Sequence, residues 1–178
     1  FPYTTLFRSL QLILFRHAEA DRPVGVADHE RPLSETGCLQ AQKMGEFIAT
    51  QALRPDVTLI SSARRTRQTW EQACDAGDLA VPHVVEPDIY EANPDDLIAI
   101  LTRQSARHKS ILVVGHNPGM GQLTIWLSGS SDDTALANLQ QHGFTTGGMA
   151  ILELDVDSWS AISPHCGKLA RFETPETV

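Results

Sequence analysis

No apolar run in this chain approaches the roughly 20 residues that a membrane-spanning helix needs, so no membrane association is expected. Cysteine is scarce. Cys38, Cys74 and Cys166 are odd in number, far apart and without CxxC spacing. That pattern excludes a disulfide framework or a thiolate zinc site and leads us to expect reduced thiols in a cytoplasmic protein. Basic charge is also short: 14 Lys and Arg face 22 Asp and Glu, a net −8. A broad nucleic-acid surface would need a basic stripe, so no nucleic-acid partner is expected, although a local cationic pocket stays possible. Repeats, low-complexity segments and linkers are lacking as well. At 178 residues, 42% of them hydrophobic, the chain is sized for one domain with a full core. Residues 1–9 contain no Met and no signal-peptide layout, and they resemble the translated adapter of a short-read sequencing library. They are expected to be a non-native extension, with residues 10–178 forming a single domain, and a monomer is the expected state.

What the chain does contain is a set of apolar strands that end in cations and imidazoles. Leu10-Gln11-Leu12-Ile13-Leu14-Phe15 runs directly into Arg16-His17. Ser110-Ile111-Leu112-Val113-Val114 runs into Gly115-His116-Asn117-Pro118, and Val57-Thr58-Leu59-Ile60 into Ser61-Ser62-Ala63-Arg64-Arg65-Thr66. Packing alone does not explain three strands with such endings. In open α/β sheets the carboxyl edge of the strands is where ligands bind.

The rest of the pattern alternates strand and helix, which predicts a three-layer α/β sandwich with a mostly parallel sheet and helices on both faces. A polar loop over residues 20–33 precedes a helix capped by Ser34, with Ala41, Met44, Ile48 and Ala52 as its apolar stripe. A second helix is expected from Ala63 to a left-handed cap at Gly77, then a short strand over residues 81–85. Asn93-Pro94 and Asn117-Pro118 each read as a cap followed by proline at the first helical position. The second of these helices is expected to end at Gly129, and its free N–H groups to make an anion site beside His116. Asp132 or Asp133 caps a short helix ending before Gly143, and residues 149–154 and 159–162 are expected to form a late hairpin.

Two arginines and two histidines at one sheet edge suit phosphoryl chemistry. Guanidinium forks match phosphate oxygens in pairs and keep their charge at any physiological pH. Arg16 and Arg65 would neutralise a phosphoryl dianion. One of His17 and His116 would attack phosphorus while the other stabilises the equatorial oxygens. This chemistry asks for positioning and charge, so no cofactor and no metal are expected.

Phe15-Arg16-His17-Ala18 resembles the signature of the histidine phosphatase superfamily, which has the phosphoglycerate mutase-like fold and usually carries Gly at the third of Arg-His-Gly, where this chain has Ala18. Arg31-Pro32-Leu33-Ser34-Glu35-Thr36-Gly37, Ser61 to Thr69 and Gly115-His116-Asn117-Pro118 resemble its later motifs, and the order and compact length are most similar to the SixA-type phosphohistidine phosphatases. The resemblance implies that His17 is the nucleophile, with Arg16, Arg65 and His116 completing the phosphate pocket and Asn117 beside them. It places Glu91 at the position of the family's general acid, with Glu19 as the fallback. The implied partner is a phosphorylated protein, such as a histidine phosphotransfer domain, or else a small phosphate ester. A mutase would need longer insertions near the second arginine motif. A binding module without turnover would need no nucleophile, and a metal-dependent hydrolase would need a carboxylate and histidine cluster. Arg64 and Arg67 are expected on a solvated helix face. His29, His83, His108, His142 and His165 are expected at the surface, and Trp70 and Trp126 in the core.

Overall fold

The computed structural model describes residues 9–178, so most of the expected extension, residues 1–8, lies outside the described residues. The strands are β1 (Leu10–Arg16), β2 (Val57–Ile60), β3 (His83–Val85), β4 (Ser110–Gly115), β5 (Ser128–Ser131), β6 (Met149–Leu154) and β7 (Gly167–Glu173). The helices are α1 (Glu35–Thr50), α2 (Arg64–Gly77), α3 (Pro94–Thr102), α4 (Gly119–Leu127) and α5 (Asp133–His142). The strands form one sheet in the order β3-β2-β4-β1-β6-β7-β5. Every neighbouring pair is parallel except β1–β6 and β6–β7, so β6 alone runs against the rest.

The central strands β1, β2 and β4 are largely apolar because both faces of the sheet are covered there. Leu10, Leu12 and Leu14 of β1 join Ile111 and Val113 of β4 under α3 and α4, where Leu97, Ile100, Leu101, Met120, Leu123 and Leu127 close the core. The intervening residues Ile13, Phe15, Leu112 and Val114 pack on the other face against Met44, Phe47 and Ile48 of α1 and Trp70 and Ala73 of α2. This is the expected three-layer α/β sandwich. Trp70 is buried and Trp126 is half-buried against the first cluster.

Several local expectations need correction. The left-handed turn after α2 falls on Asp78 (φ 50°), and Gly77 is the last helical residue. Its lack of a side chain serves helix packing instead, because a Cβ there would stand 2.4 Å from the Gly45 carbonyl oxygen of α1. The strand expected over residues 81–85 is only His83–Val85. α4 stops at Leu127, two residues before Gly129, and Ser128–Ser131 continues as edge strand β5. The late hairpin forms between β6 and β7, while Trp159–Ala161 is a 3-10 turn. Trp159 there is fully buried and donates its Nε1–H to the His108 carbonyl. Its ring packs in the core with Leu97, Ile100 and Leu101 of α3.

Candidate active site

The first three central strands end at one place. His17 follows β1, Ser61 follows β2 and His116 follows β4, and the registers keep these ends level: Arg16 lies opposite Gly115, and Ile60 opposite Val114. The His17 N–H donates to the Gly115 carbonyl (3.0 Å), and the His17 carbonyl accepts from Gly147 N–H (3.0 Å). Gly147 has φ +73°, a conformation side chains disfavour, and so the turn over residues 144–148 can wrap the end of β1. The backbone on either side of His17 is therefore pinned.

The same precision extends to its ring. Nδ1 lies 2.7 Å from the Ala18 carbonyl oxygen. A carbonyl only accepts, so Nδ1 carries the hydrogen and Nε2 keeps the lone pair. Burial, opposed by that hydrogen bond and reinforced by Arg65 and Arg16, pushes the His17 pKa down to about 4. The His116 ring sits 5.2 Å from it, centre to centre. Burial, together with His17 and Arg65, lowers the His116 pKa to about 3. Arg65 Nη2 approaches His116 Nδ1 at 3.4 Å, and since a guanidinium only donates, Nε2 of His116 carries the hydrogen and donates to Ser61 Oγ at 2.7 Å. Near neutrality the site thus holds two uncharged imidazoles and two cations.

Arg16 is half-buried at the end of β1 and donates from Nη1 to the Phe144 carbonyl (2.8 Å). Its pKa is lowered by burial and by the nearby Arg65. Arg65 comes from the first turn of α2, whose inward face is polar. Thr69 there takes the Ala18 N–H and donates to the Arg65 carbonyl, while Thr66 donates to the Ser61 carbonyl. Arg65 itself is 6% exposed. The Nε atoms of both Arg16 and Arg65 are buried without a hydrogen-bond partner among the described residues. Two rigid cations with unused donors, side by side, make a receptor for a tetrahedral oxyanion.

The other expected site residues fall out differently. Asn117 donates to the Phe144 carbonyl (2.7 Å) and accepts from Gly121 N–H (3.2 Å), so both ends of its amide brace the protein. Helix α4 begins at Gly119 after a cis Asn117–Pro118 peptide. The Met120, Gly121 and Gln122 N–H groups bond to His116, Asn117 and Pro118, so the expected anion site of free helix donors is largely used up internally. Glu91 is exposed, in left-handed backbone (φ 56°), and follows Tyr90. Glu19 Oε1 accepts from the hydroxyl of Ser34, which caps α1. Arg64 and Arg67 are exposed, as expected.

Sequence reasoning missed Asp28, His29 and Tyr90. Asp28 bonds Arg65, Arg31 and Tyr90. His29, expected as an unattached surface group, lies 2.9 Å from Ser62 Oγ and meets the edge of Tyr90, whose ring in turn meets His116. They sit on irregular segments with no periodicity to reveal their direction, and the adjacency of Tyr90 to Glu91 was the only signal. Among the described residues no group of three or more His, Cys, Asp or Glu is placed to hold a metal ion. None of the helices described is long and apolar enough to cross a membrane.

A family model for the histidine phosphatase superfamily (branch 1) matches residues 12–98. An uncharacterised protein of Mycobacterium tuberculosis is 32% identical over 161 residues, covering 90% of this chain and 99% of that protein. The chain belongs to the histidine phosphatase superfamily. Within the superfamily, its similarity extends to the phosphohistidine phosphatase SixA of Escherichia coli, 27% identical over 118 residues and covering 64% of this chain and 71% of that one. The solved structure of a candidate phosphohistidine phosphatase SixA from Agrobacterium tumefaciens superposes with a TM-score of 0.75 at 28% identity, covering 93% and 99% of the two chains. The protein histidine phosphatase SixA complexed with tungstate gives 0.74 at 24% identity, over 93% and 97%, a likeness of fold.

Proposed function

We propose that this superfamily member is a phosphatase that works through a covalent phosphohistidine on His17 and acts on phosphohistidine in a protein. The observation that carries the reading is the hydrogen bond from His17 Nδ1 to the Ala18 carbonyl. It leaves Nε2 as an uncharged nucleophile beside two arginines with unused buried donors. In the first step Nε2 attacks phosphorus and the bond to the leaving nitrogen breaks, that nitrogen departing as a neutral imidazole with a proton taken from solvent. In the second, water attacks the same phosphorus, the bond to Nε2 breaks and inorganic phosphate forms as neutral His17 returns. Arg16 and Arg65 neutralise the transferring group throughout. Bringing a dianion against His116 raises its affinity for a proton, so it becomes a further donor to the equatorial oxygens. Asn117, with both ends of its amide engaged, contributes at most its second Nδ2 hydrogen to substrate.

The likeness to SixA proteins supports a protein-borne phosphohistidine as substrate. A small phosphate ester is the alternative within the same mechanism. The test is turnover of a phosphorylated histidine-containing domain beside a panel of phosphate monoesters, with and without a chelator. We expect turnover of the domain, undiminished by the chelator. In a rapidly quenched reaction, labelled phosphate should be trapped on His17, and His17→Ala should abolish turnover while keeping the fold. Label on His116 would reverse the assignment of the nucleophile, and loss of activity in chelator, restored by one divalent ion, would favour a metal hydrolase.

A further inference from the structure

We propose that Asp28 is the positioning residue for Arg65, an inference that rests on the phosphatase reading above. Asp28 opens a short 3-10 turn, Asp28–Glu30, in the loop that follows β1. It grips the end of the Arg65 guanidinium twice: Nη1 donates to its backbone carbonyl at 2.7 Å and Nη2 to its Oδ2 at 3.1 Å. The carboxylate does not hang free. Tyr90 donates to Oδ2 at 2.7 Å and Arg31 donates to Oδ1 at 3.0 Å. Arg31 also bonds the carbonyls of Asp21 and Ala20, tying the start of the loop to the same knot. Tyr90 and Arg31 thus hold the carboxylate, and the carboxylate and the Asp28 backbone carbonyl hold Arg65.

A guanidinium is planar and rigid, so fixing Nη1 and Nη2 also fixes the direction of Nε. That Nε is buried and unpartnered among the described residues, as is the Nε of Arg16, whose Nη1 is held in its turn by the Phe144 carbonyl. Each arginine is therefore clamped by a terminal nitrogen and keeps its Nε donor for a ligand. A phosphoryl oxygen would meet such a guanidinium at Nε, the donor that the clamp leaves unused. Without the Asp28 carboxylate, the Arg65 plane would keep only the backbone contact at Nη1 and could swing about it, away from the His17 nucleophile. Asp28 is no proton donor in this arrangement. Its bonds from Tyr90, Arg31 and Arg65 keep it ionised far below the usual carboxylate range.

The experiment compares wild type, Asp28→Ala, Asp28→Asn, Arg65→Ala and the Asp28→Ala/Arg65→Ala double variant. Each is assayed for kcat/KM on a phosphorylated histidine-containing domain and for binding of inorganic phosphate by calorimetry, after circular dichroism has checked its fold. Losing a charge-assisted hydrogen bond predicts a fall in kcat/KM of about 10- to 100-fold in Asp28→Ala, with phosphate binding weakened in parallel. Asp28→Asn keeps the shape but not the charge and should fall between. Since Asp28 acts through Arg65, its removal from the Arg65→Ala protein should cost no more than about twofold further. An equal loss in both backgrounds would mean general damage to the loop and would overturn the proposal. Tighter phosphate binding in Asp28→Ala would also overturn it, by showing that the carboxylate competes with the ligand. A wild-type protein with no turnover counts against the phosphatase reading instead, and the phosphate titrations then decide the role of Asp28.

Discussion

At the scale of single residues the site works by restricting what each group can do. In the proposed mechanism His17 is the nucleophile because a carbonyl takes its other nitrogen, and Arg65 keeps Nε for the ligand because its terminal nitrogens are already spent. Arg65→Ala should therefore cost about 3 kcal/mol or more of transition-state stabilisation, read from kcat/KM. Arg65→Lys should recover only part, since an ammonium has no planar fork to hold. A fully active Arg65→Ala would shift attention to Arg64 and Arg67, although both are exposed. Glu91 offers a sharper discrimination of substrate class. An alkyl phosphate expels a poor leaving group, so a positioned acid matters there, typically by 10²–10⁴-fold. A phosphohistidine nitrogen leaves readily once protonated. For a phosphohistidine phosphatase, Glu91→Gln should barely alter turnover of a phosphorylated histidine domain while suppressing any side activity on alkyl esters. Equal, severe losses on both substrates would point instead to Glu91 shaping the pocket.

At the scale of elements the site depends on how closely α2 is held to the sheet and to α1. The crossing of α1 and α2 is tight enough that a Cβ on Gly45 would stand 2.1 Å from the Ala73 carbonyl oxygen. That contact is backbone and cannot simply rotate aside. Gly45→Ala should thus destabilise the protein by roughly 1–3 kcal/mol, the usual range for overpacking, even though alanine is intrinsically the better helix former. Urea denaturation measures it, and a Gly45→Ala variant as stable as wild type would show that the helices do not meet so closely. Because α2 also carries Arg65, Thr66 and Thr69 into the site, the same variant should lose activity beyond its loss of stability.

At the scale of the whole molecule, burying two neutral imidazoles ties stability to pH. The pKa values of His17 and His116 fall to about 4 and about 3 in the folded protein, below the ordinary value of 6.5. As pH drops from 6.5 towards 4 the unfolded chain takes up protons at these positions and the folded one does not. Stability therefore declines over that window, by up to about 1.4 kcal/mol per pH unit for each histidine, and is fully present above it. Denaturation curves at pH 7 and pH 5 should show the fall, and a His17→Asn/His116→Asn protein should show less of it. An undiminished pH dependence in the double variant would place its origin elsewhere.

Much of this molecule was legible in one dimension. Apolar strands ending in Arg16-His17, Gly115-His116 and the Ser61 to Arg65 segment announce a parallel sheet with its site at the carboxyl edge, because strand hydrophobicity and abrupt polar endings are local properties of the chain. The caps at Ser34, Asn93 and Asp132 were equally local. The pairing of β6 with β7 and the edge strand Ser128–Ser131 were not, since nothing within four small polar residues specifies which distant strand they join. Nor was the grip of Asp28 and Tyr90 on the arginine pocket, 37 residues separating Asp28 from Arg65 and 62 separating it from Tyr90. Which residues carry charge was written in the sequence. Which of them meet, and which nitrogen of each ring stays free, was decided only where the loops close over the sheet, because a side chain's partner depends on backbone that no local pattern encodes.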